Sequence, residues 1–320
     1  MAETIVAEAM AGDTSVSRRK WPTHIVVFLA PAFLVYTIFS IYPLIDTIRL
    51  SLYTADDTGQ QSFIGLGNFV TLLTDPNWSK PFWNAFRNNS IFFAIHMVVQ
   101  TSIGLALAAL LSLPRLRGAS IYRTLLFMPT MLSVVIIGFI WQLILSPLWG
   151  ISRSFLAALG LGSLFAPWLG QEGTALITVS LISVWQFVGI PMILIYAALI
   201  NIPDDLIDAA TVDGAPPFYV FWVIRLPLVY PTLGVVSILT FVGNFNAFDL
   251  IYAMKGAQAG PNLATDILGT FFYRTFFGYQ LQTGNPTMGA AVATMMLLII
   301  MVGVLFYLFG VQRKLQHHLA

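Results

Sequence analysis

Long apolar runs separated by short polar stretches set the pattern of this sequence. Each of six runs reaches the length of about 20 residues that a helix needs to cross the hydrocarbon core of a bilayer. The runs cover residues 24–45, 90–113, 122–145, 174–200, 231–254 and 287–310. They predict an all-α, polytopic membrane protein with six transmembrane helices. One membrane domain, residues 23–312, is expected between short tails at 1–22 and 313–320.

The first run follows Arg18, Arg19 and Lys20 and resembles a signal peptide in that respect. The run is longer than the apolar region of a signal peptide, and no small-residue cleavage site closes it. We therefore predict a first span that is retained.

Basic residues are divided unequally between the two sets of connecting stretches. If both termini are cytoplasmic, nine Lys or Arg lie in the shorter inner stretches and six in the longer outer ones. An excess of Lys and Arg is typical of cytoplasmic loops. The sequence therefore predicts cytoplasmic termini, and the basic turn at residues 114–120 is the clearest instance.

Prolines lie inside three of the predicted spans, at Pro31, Pro129 and Pro191. Each removes a backbone donor and kinks its helix. Two interpretations stay open. The kinks are ordinary bends of membrane helices, or they frame a central translocation path, as interrupted helices do in transporters.

Composition narrows the class of protein further. The 320 residues are 58% hydrophobic and 9% charged, whereas about a quarter of the residues in a soluble domain are charged. A formal net charge of +1 provides no broad basic field, so we do not expect nucleic acid as a partner. Cysteine is absent, which excludes disulfides, cysteine-based metal sites and thiol catalysis.

The segment between the fourth and fifth spans, residues 201–230, carries the signals of a short helix and its two ends. Pro203 and two following carboxylates favour a helix start, and Gly214 followed by two prolines favours a helix end. A helix of about ten residues is too short to span a bilayer. With apolar and acidic side chains exposed, it is suited to dock into a groove on another protein.

A spaced motif runs through this segment. It reads Asp-Ala-Ala, three residues, Gly, nine residues, then Ile, one residue and Leu-Pro. The motif resembles the Glu-Ala-Ala loop of membrane subunits in binding-protein-dependent ABC importers. Asp replaces the usual Glu, which keeps the charge and shortens the reach by one methylene. The resemblance implies an ATPase-coupling set made of Asp205, Asp208, Ala209, Ala210, Asp213, Gly214, Ile224, Leu226 and Pro227. A connecting loop that matches by chance is the alternative.

Other stretches resemble the carbohydrate-uptake permeases of the maltose and glycerol-phosphate importer group, in particular the first member of the permease pair. They are Tyr42-Pro43, the outer stretch from Phe63 to Phe69, Arg123 to Pro129, and Phe248 to Tyr252.

The resemblance implies a heteromeric complex in the bacterial inner membrane. Its expected partners are a second homologous permease, two cytoplasmic ATPase subunits, an extracytoplasmic solute-binding protein, a sugar or sugar-like substrate and membrane lipid. No cofactor is expected on this chain, because ATP and Mg would bind the partner ATPase. The chain itself would not be an enzyme.

The sequence also has to be compared with two other classes of function, an ion-coupled carrier and a membrane enzyme. No Gly-x-x-x-x-Gly-Lys-[Ser/Thr] phosphate loop occurs, which fits an importer whose ATPase is a separate chain and also fits an ion-coupled secondary carrier. A carrier usually needs an ionisable residue deep in the membrane. His96 and Asp249 are the candidates, and a packing histidine and a helix-end carboxylate are the simpler interpretations. A membrane enzyme is disfavoured because no metal-spaced cluster and no Gly-x-Ser-x-Gly motif occurs.

Amides and aromatic residues concentrate near the middle of the fifth predicted span, with a smaller group in the fourth. Amides can bridge neighbouring sugar hydroxyls, and a glycine lets a ligand approach the backbone. The predicted substrate path comprises Trp185, Gln186, Gly189, Thr240, Asn244, Asn246, Phe248 and Asp249. The resemblance implies sugar contact at Asn244. The alternative is that the amides tie helices together by hydrogen bonds.

Overall fold

The structure is a computed structural model that describes residues 23–55, 59–113, 116–280 and 283–312. Within these ranges the regular secondary structure, joined by turns and loops, is helical apart from a two-stranded hairpin, in which β1 (Tyr53–Ala55) pairs antiparallel with β2 (Gln61–Phe63). The all-α fold is thus confirmed. The predicted tails, 1–22 and 313–320, lie outside the described residues, as does Arg115 of the predicted basic turn.

The first helices alternate between long apolar stretches and short surface pieces. They are α1 (Thr23–Tyr36), α2 (Tyr42–Leu50), α3 (Gly67–Thr74), α4 (Pro76–Ile95), α5 (Thr101–Leu111), α6 (Ala119–Phe127), α7 (Val134–Ile144) and α8 (Ile151–Ala158). Turns of π-helix, Thr37–Ile41 and His96–Gln100, join α1 to α2 and α4 to α5 without a break.

The later helices carry the predicted functional residues. They are α9 (Glu172–Phe187), α10 (Gly189–Ile200), α11 (Asp204–Val212), α12 (Pro217–Val220), α13 (Leu226–Leu228), α14 (Tyr230–Phe245), α15 (Asp249–Lys255), α16 (Leu268–Phe277) and α17 (Pro286–Phe306). A π-helical turn, Phe221–Arg225, joins α12 to α13.

Three helical stretches are long and apolar enough to cross a membrane without interruption, namely Ile25–Leu50, Pro76–Leu111 and Pro286–Gly310. Three further stretches pass the same test only as bent pairs. The bends are 94° between Ala119–Met131 and Val134–Ile144, 43° between Glu172–Phe187 and Gly189–Ile200, and 63° between Pro217–Leu228 and Tyr230–Phe245. Counting each bent pair as one span gives six in the described part of the chain, as predicted.

Two of the bends lie close to prolines that are expected to kink their helices. Pro129 lies in the short 3₁₀ turn Met128–Met131, and the chain is extended at Leu132 before α7 begins. Pro191 lies in the first turn of α10, where its ring would clash with the carbonyl of residue 187 in a continuous helix. Pro31, in contrast, lies inside α1, and the helix continues past it.

Two predicted span boundaries differ from the structure. The sequence predicts that the second span begins at residue 90, but its helix begins at Pro76, where the Asp75 carboxylate caps the start by accepting from the Asn77 N–H at 2.8 Å. The fifth span is predicted to run unbroken over 231–254, but α14 ends at Phe245 and α15 begins at Asp249. Hydropathy averaged over the length of a span does not resolve these boundaries, because the polar residues at them, such as Asn246 and Asp249, lie beside long apolar stretches.

The described chain divides into two compact units, of which the first ends at Asp46 and the second begins at Thr47. Everything described below lies in the second unit. Its buried side chains form three clusters. One surrounds Val179 and Ile251, another surrounds Leu268 and Phe271, and the third surrounds Ile195 and Leu226.

Candidate functional site

The helix α11 ends in a tight, fully hydrogen-bonded turn. Gly214 has φ of +79°, a left-handed conformation that costs side-chain-bearing residues free energy. The Gly214 N–H donates to the Thr211 carbonyl, and the Ala215 N–H donates to the Ala210 carbonyl, both at 3.0 Å. This pair of bonds is a Schellman motif, which satisfies the last carbonyls of a helix. The predicted helix end is therefore observed, while the helix starts one residue after Pro203.

The predicted coupling residues divide into an exposed group and an anchored group. The side chains of α11 and its terminal turn are exposed or only partly buried, and Val212 is 87% exposed. Ile207, on the other side of α11, packs against the buried cluster that contains Ile202 and Leu226. The exposed group contains Asp205, Asp208, Ala209, Asp213 and Gly214. Ala210 is half-buried. In the anchored group, Ile224 and Pro227 are half-buried and Leu226 is buried.

A polar contact ties this segment to the end of the second span. The Arg225 guanidinium donates through Nη2 to Ser112 Oγ at 3.1 Å, and Ser112 follows directly after α5. Apolar packing at Leu226 and the bond at Arg225 together fix the base of the segment. Its exposed helix is therefore anchored to the spans at the base of the segment.

A cavity of about 470 Å³ opens between the second, fourth and fifth predicted spans, within the size range of small-molecule sites. Five of the eight predicted substrate-path residues line it, namely Thr240, Asn244, Asn246, Phe248 and Asp249. His96, Gln100 and Ser183 line it as well. The break between α14 and α15 lies in its wall, so the predicted path and the observed cavity coincide in the fifth span.

His96 is held by hydrogen bonds through both ring nitrogens. Nδ1 contacts the Phe92 carbonyl at 2.8 Å, and Nε2 contacts Ser183 Oγ at 3.0 Å. Because a carbonyl only accepts, Nδ1 carries a proton, and in the neutral ring Nε2 accepts from the serine. Gln100 Nε2 donates to the Phe187 carbonyl at 3.0 Å. These bonds fit the packing interpretation of His96 better than a proton relay.

The amides of the fifth span form hydrogen bonds within their own helix. Asn244 Nδ2 donates to the Thr240 carbonyl at 2.7 Å, and Asn246 Nδ2 donates to the Val242 carbonyl at 3.0 Å. Each primary amide has two N–H donors and an accepting oxygen, so these bonds leave further capacity. The interhelical tie, the alternative role of these amides, is made instead by Asn89, whose Nδ2 donates to the main-chain carbonyl of Asn244 at 3.0 Å.

The three predicted residues of the fourth span lie outside the lining of this cavity. Trp185 is 43% exposed and packs edge-on against Trp141, with ring centroids 5.5 Å apart. Gln186 is fully buried and donates to the Leu132 carbonyl at 3.3 Å. A Cβ on Gly189 would lie 2.9 Å from Phe127 Cα, so this glycine serves a close approach of two helices.

A set of asparagines on α4, which was not predicted from the sequence, holds the outer segment, defined as residues 256–280. Asn84 donates to the Leu263 carbonyl at 3.0 Å, and Asn88 donates to the Asp266 carbonyl at 2.9 Å. Asn89 Oδ1 accepts from the Leu268 N–H at 3.2 Å. The signal was present in the sequence, because Asn84 and Asn88 are four residues apart and therefore share a helix face.

A buried ion pair forms the centre of the outer segment. Arg274 Nη2 lies 2.7 Å from Asp266 Oδ2, and the two side chains are 9% and 0% exposed. Arg274 Nη1 also donates to the Ala257 carbonyl at 2.7 Å, and Thr270 Oγ1 donates to Asp266 Oδ1 at 2.7 Å. Burial raises the pKa of the Asp266 carboxyl, and the bonds from Arg274 and Thr270 oppose this shift.

Comparison with known proteins places these features in a family. Residues 100–315 match the family described as binding-protein-dependent transport system inner membrane component. A probable ABC transporter permease protein, YurN of Bacillus subtilis (strain 168), is 34% identical over 275 residues, which cover 85% of this chain and 90% of that protein. The lactose transport system permease protein LacF of Rhizobium radiobacter is 30% identical over 282 residues, with coverage of 88% and 91%.

A solved structure has the same fold. It is described as a bacterial ABC transporter involved in the import of the acidic polysaccharide alginate. One of its chains matches with a TM-score of 0.75 and 22% sequence identity, covering 88% of this chain and 93% of that chain. At this identity the likeness concerns the fold alone.

Proposed function

Because this chain belongs to the family of inner membrane components of binding-protein-dependent transport systems, we propose that it is one permease subunit of an ATP-driven sugar importer. It is a multi-pass membrane protein of a family of transport components, not of known enzymes. Its relatives favour the importer over an ion-coupled carrier. In this proposal the chain forms half of the translocation path and couples that path to a separate ATPase.

The observation that carries the proposal is the exposed helix α11 on its fixed base. Its acidic and small residues are exposed, its end is closed by the turn at Gly214, and Ile207 and Leu226 share one buried cluster with the spans. A helix anchored in this way can pass a movement to the spans only if another protein contacts its exposed face. We assign that contact to the ATPase, with Asp208 as an acceptor for its donors.

The remaining partners follow from the same proposal. A second, homologous permease would complete the path, a soluble binding protein would deliver the solute from outside, and ATP with Mg would bind the two ATPase subunits. Cytoplasmic termini would put residues 201–230 on the ATPase side. The basic residues Arg117 and Arg123, at the connection between the second and third spans, support this orientation.

A sugar is the proposed solute. The relative LacF is named for lactose transport, and the cavity offers amides and an aromatic ring. Amides can exchange hydrogen bonds with neighbouring hydroxyls, while the Phe248 ring can cover the apolar face of a pyranose. We assign sugar contact to Thr240, Asn244, Asn246 and Phe248, with Asp249 at the rim. Trp185, Gln186 and Gly189 support the wall rather than the solute.

Reconstitution in liposomes tests this proposal. The complete complex with its binding protein should accumulate sugar only when ATP is supplied, and Asn244→Ala should reduce uptake roughly tenfold, the ratio that corresponds to one lost hydrogen bond of about 1.4 kcal/mol. Co-purification of the partner subunits should be unchanged. Uptake by this chain alone, driven by a proton gradient without ATP, would overturn the importer. Unchanged uptake by Asn244→Ala in an intact complex, or loss of the partner subunits from the purified variant, would contradict sugar contact at Asn244.

A further inference from the structure

Four aromatic rings form a continuous series from the cavity into the outer segment. Phe248, which lines the cavity, stacks on Tyr252 with ring centroids 4.9 Å apart and an interplanar angle of 29°. Tyr252 contacts Tyr273 at 5.0 Å, and Tyr273 contacts Phe277 at 5.1 Å. Phe248 also contacts Tyr273 directly, at 5.4 Å. We call Phe248, Tyr252, Tyr273 and Phe277 the aromatic series.

The helix that carries the outer half of this series has an inverted polarity. On α16 the charged residue Arg274 is buried together with Leu268 and Phe271, whereas Phe277 is 63% exposed and Tyr273 is partly exposed. A helix that faces water normally turns its charged side chains outward. Exposed rings beside a buried charge indicate a surface that contacts something other than water.

The chemistry of the series favours a sugar over a lipid tail. The hydroxyls of Tyr252 and Tyr273 lie 3.4 Å apart, so the strip combines apolar ring faces with polar groups that donate and accept. A pyranose has the matching combination of an apolar C–H face and a hydroxyl edge. The two hydroxyls contact each other, and each keeps accepting capacity that a hydrocarbon chain could not use.

We propose that the aromatic series is an entry track on which a sugar ring passes from the outer segment to the cavity, stepping from Phe277 through Tyr273 and Tyr252 to Phe248. This inference rests on the proposed function and deepens it, because it adds a site outside the cavity. Each step lies within the range of direct ring-to-ring contact. A sugar can therefore leave one ring while it already touches the next.

Buried residues of α15 and α16 hold the entry track in place on the side away from its exposed rings. The Asp266–Arg274 ion pair and the buried Phe271 fix the inner face of α16, and the buried Leu250, Ile251 and Met254 fix α15. The rings are thereby kept in register without using their exposed faces.

The test uses the complete complex in liposomes with its binding protein. The external solutes are lactose, maltopentaose and glycerol 3-phosphate, and internal solutes are quantified by mass spectrometry together with ATP hydrolysis. Because the binding protein carries out capture, Tyr252→Ala and Tyr273→Ala should lower the maximal rate of sugar uptake roughly three- to tenfold each, the range of one aromatic contact. The KM should stay nearly constant. The amount of ATP hydrolysed per imported sugar should rise by the same factor. The reason is that the ATPase subunits would close and hydrolyse ATP without a sugar reaching the cavity.

Tyr273→Phe keeps the ring and should retain most of the rate. Phe155→Ala is the matched control, because this ring on α8 is 64% exposed and is not part of the aromatic series. Normal sugar transport by both alanine variants would overturn the track. Loss of the second permease from the purified variants would also overturn it and would make the rings a subunit interface. A wild-type complex that imports none of the three solutes, or only glycerol 3-phosphate, would instead contradict the proposed sugar import.

Discussion

The coupling segment, residues 201–230, and the outer segment, residues 256–280, each connect spans, and both contain aspartates on or beside a short helix. In the coupling segment Asp205 and Asp208 are exposed. In the outer segment Asp266 is fully buried and is bonded to Arg274 and Thr270. The same side chain is therefore open to the surroundings in one segment and part of the internal structure in the other.

The two segments obtain their stability in different ways. The outer segment pairs its buried charges within the chain, and the amides of α4 bind its main-chain carbonyls. The coupling segment closes its backbone at Gly214 but leaves its carboxylates at the surface. Damage to the outer segment should thus affect folding, and damage to the coupling segment should affect the complex.

Two aspartate substitutions in the isolated chain should differ most in the free energy of unfolding. Asp266→Ala leaves the Arg274 charge buried without its partner, which costs about 3 to 5 kcal/mol. Asp208→Ala removes an exposed carboxylate and should change the free energy of unfolding by less than about 0.5 kcal/mol. Thermal unfolding in detergent, followed by tryptophan fluorescence, measures both. Equal melting temperatures for the two variants would contradict the comparison.

A smaller effect is expected at the turn that ends α11. Gly214→Val places a β-branched residue at φ of +79°, which costs roughly 1 to 2 kcal/mol. If the turn sets the coupling geometry, this cost corresponds to a roughly 5- to 30-fold loss of ATP-driven uptake. Capture of solute by the binding protein should be unchanged.

Gly160→Val is the matched control for this turn. Gly160 has φ of +74°, and a Cβ added there, as at Gly214, would meet nothing within 4 Å. The local strain is therefore similar, while the residue follows α8 on the predicted outer side. Equal losses of uptake in both variants would mean that strain alone, rather than coupling, explains the result at Gly214.

The smallest effect concerns the departure from the usual motif. Asp208→Glu restores the carboxylate reach typical of the motif, and the exposed position has room for one more methylene. Uptake and ATP hydrolysis should change by less than about twofold, as expected for an exposed residue. A larger loss would show that the partner's groove is fitted to the shorter side chain, and a larger gain would show that it suits the longer one.

Features that depend on neighbours along the chain could be predicted from the sequence. The ends of α11 follow from proline, two carboxylates and a glycine, because capping is local. The cavity residues of the fifth span could be predicted because amides are conspicuous in an apolar run. The roles that the comparisons leave untested, such as ATPase contact at Asp208, remain predictions.

Features that depend on distant segments were not predictable in the same way. The Asn88 side chain is 178 residues from Asp266 in sequence, and no periodicity reports such a contact. The break after Phe245 is marked only by scattered polar residues such as Asn246 and Asp249, which a hydropathy pattern over a whole span does not resolve. The position of Gly189 against Phe127 likewise depends on how two helices meet.

The amide of Asn89 limits which sequences can build this fold. Its Nδ2 donates to the Asn244 carbonyl in the cavity wall, while its Oδ1 accepts from the Leu268 N–H at the start of α16. Aspartate would lose the donor, leucine would lose both functions, and glutamine would offer both groups from one methylene further away. A change at this position therefore leaves a main-chain carbonyl and a main-chain N–H of two other helices without their partner, and we expect it to change slowly among descendants of this chain.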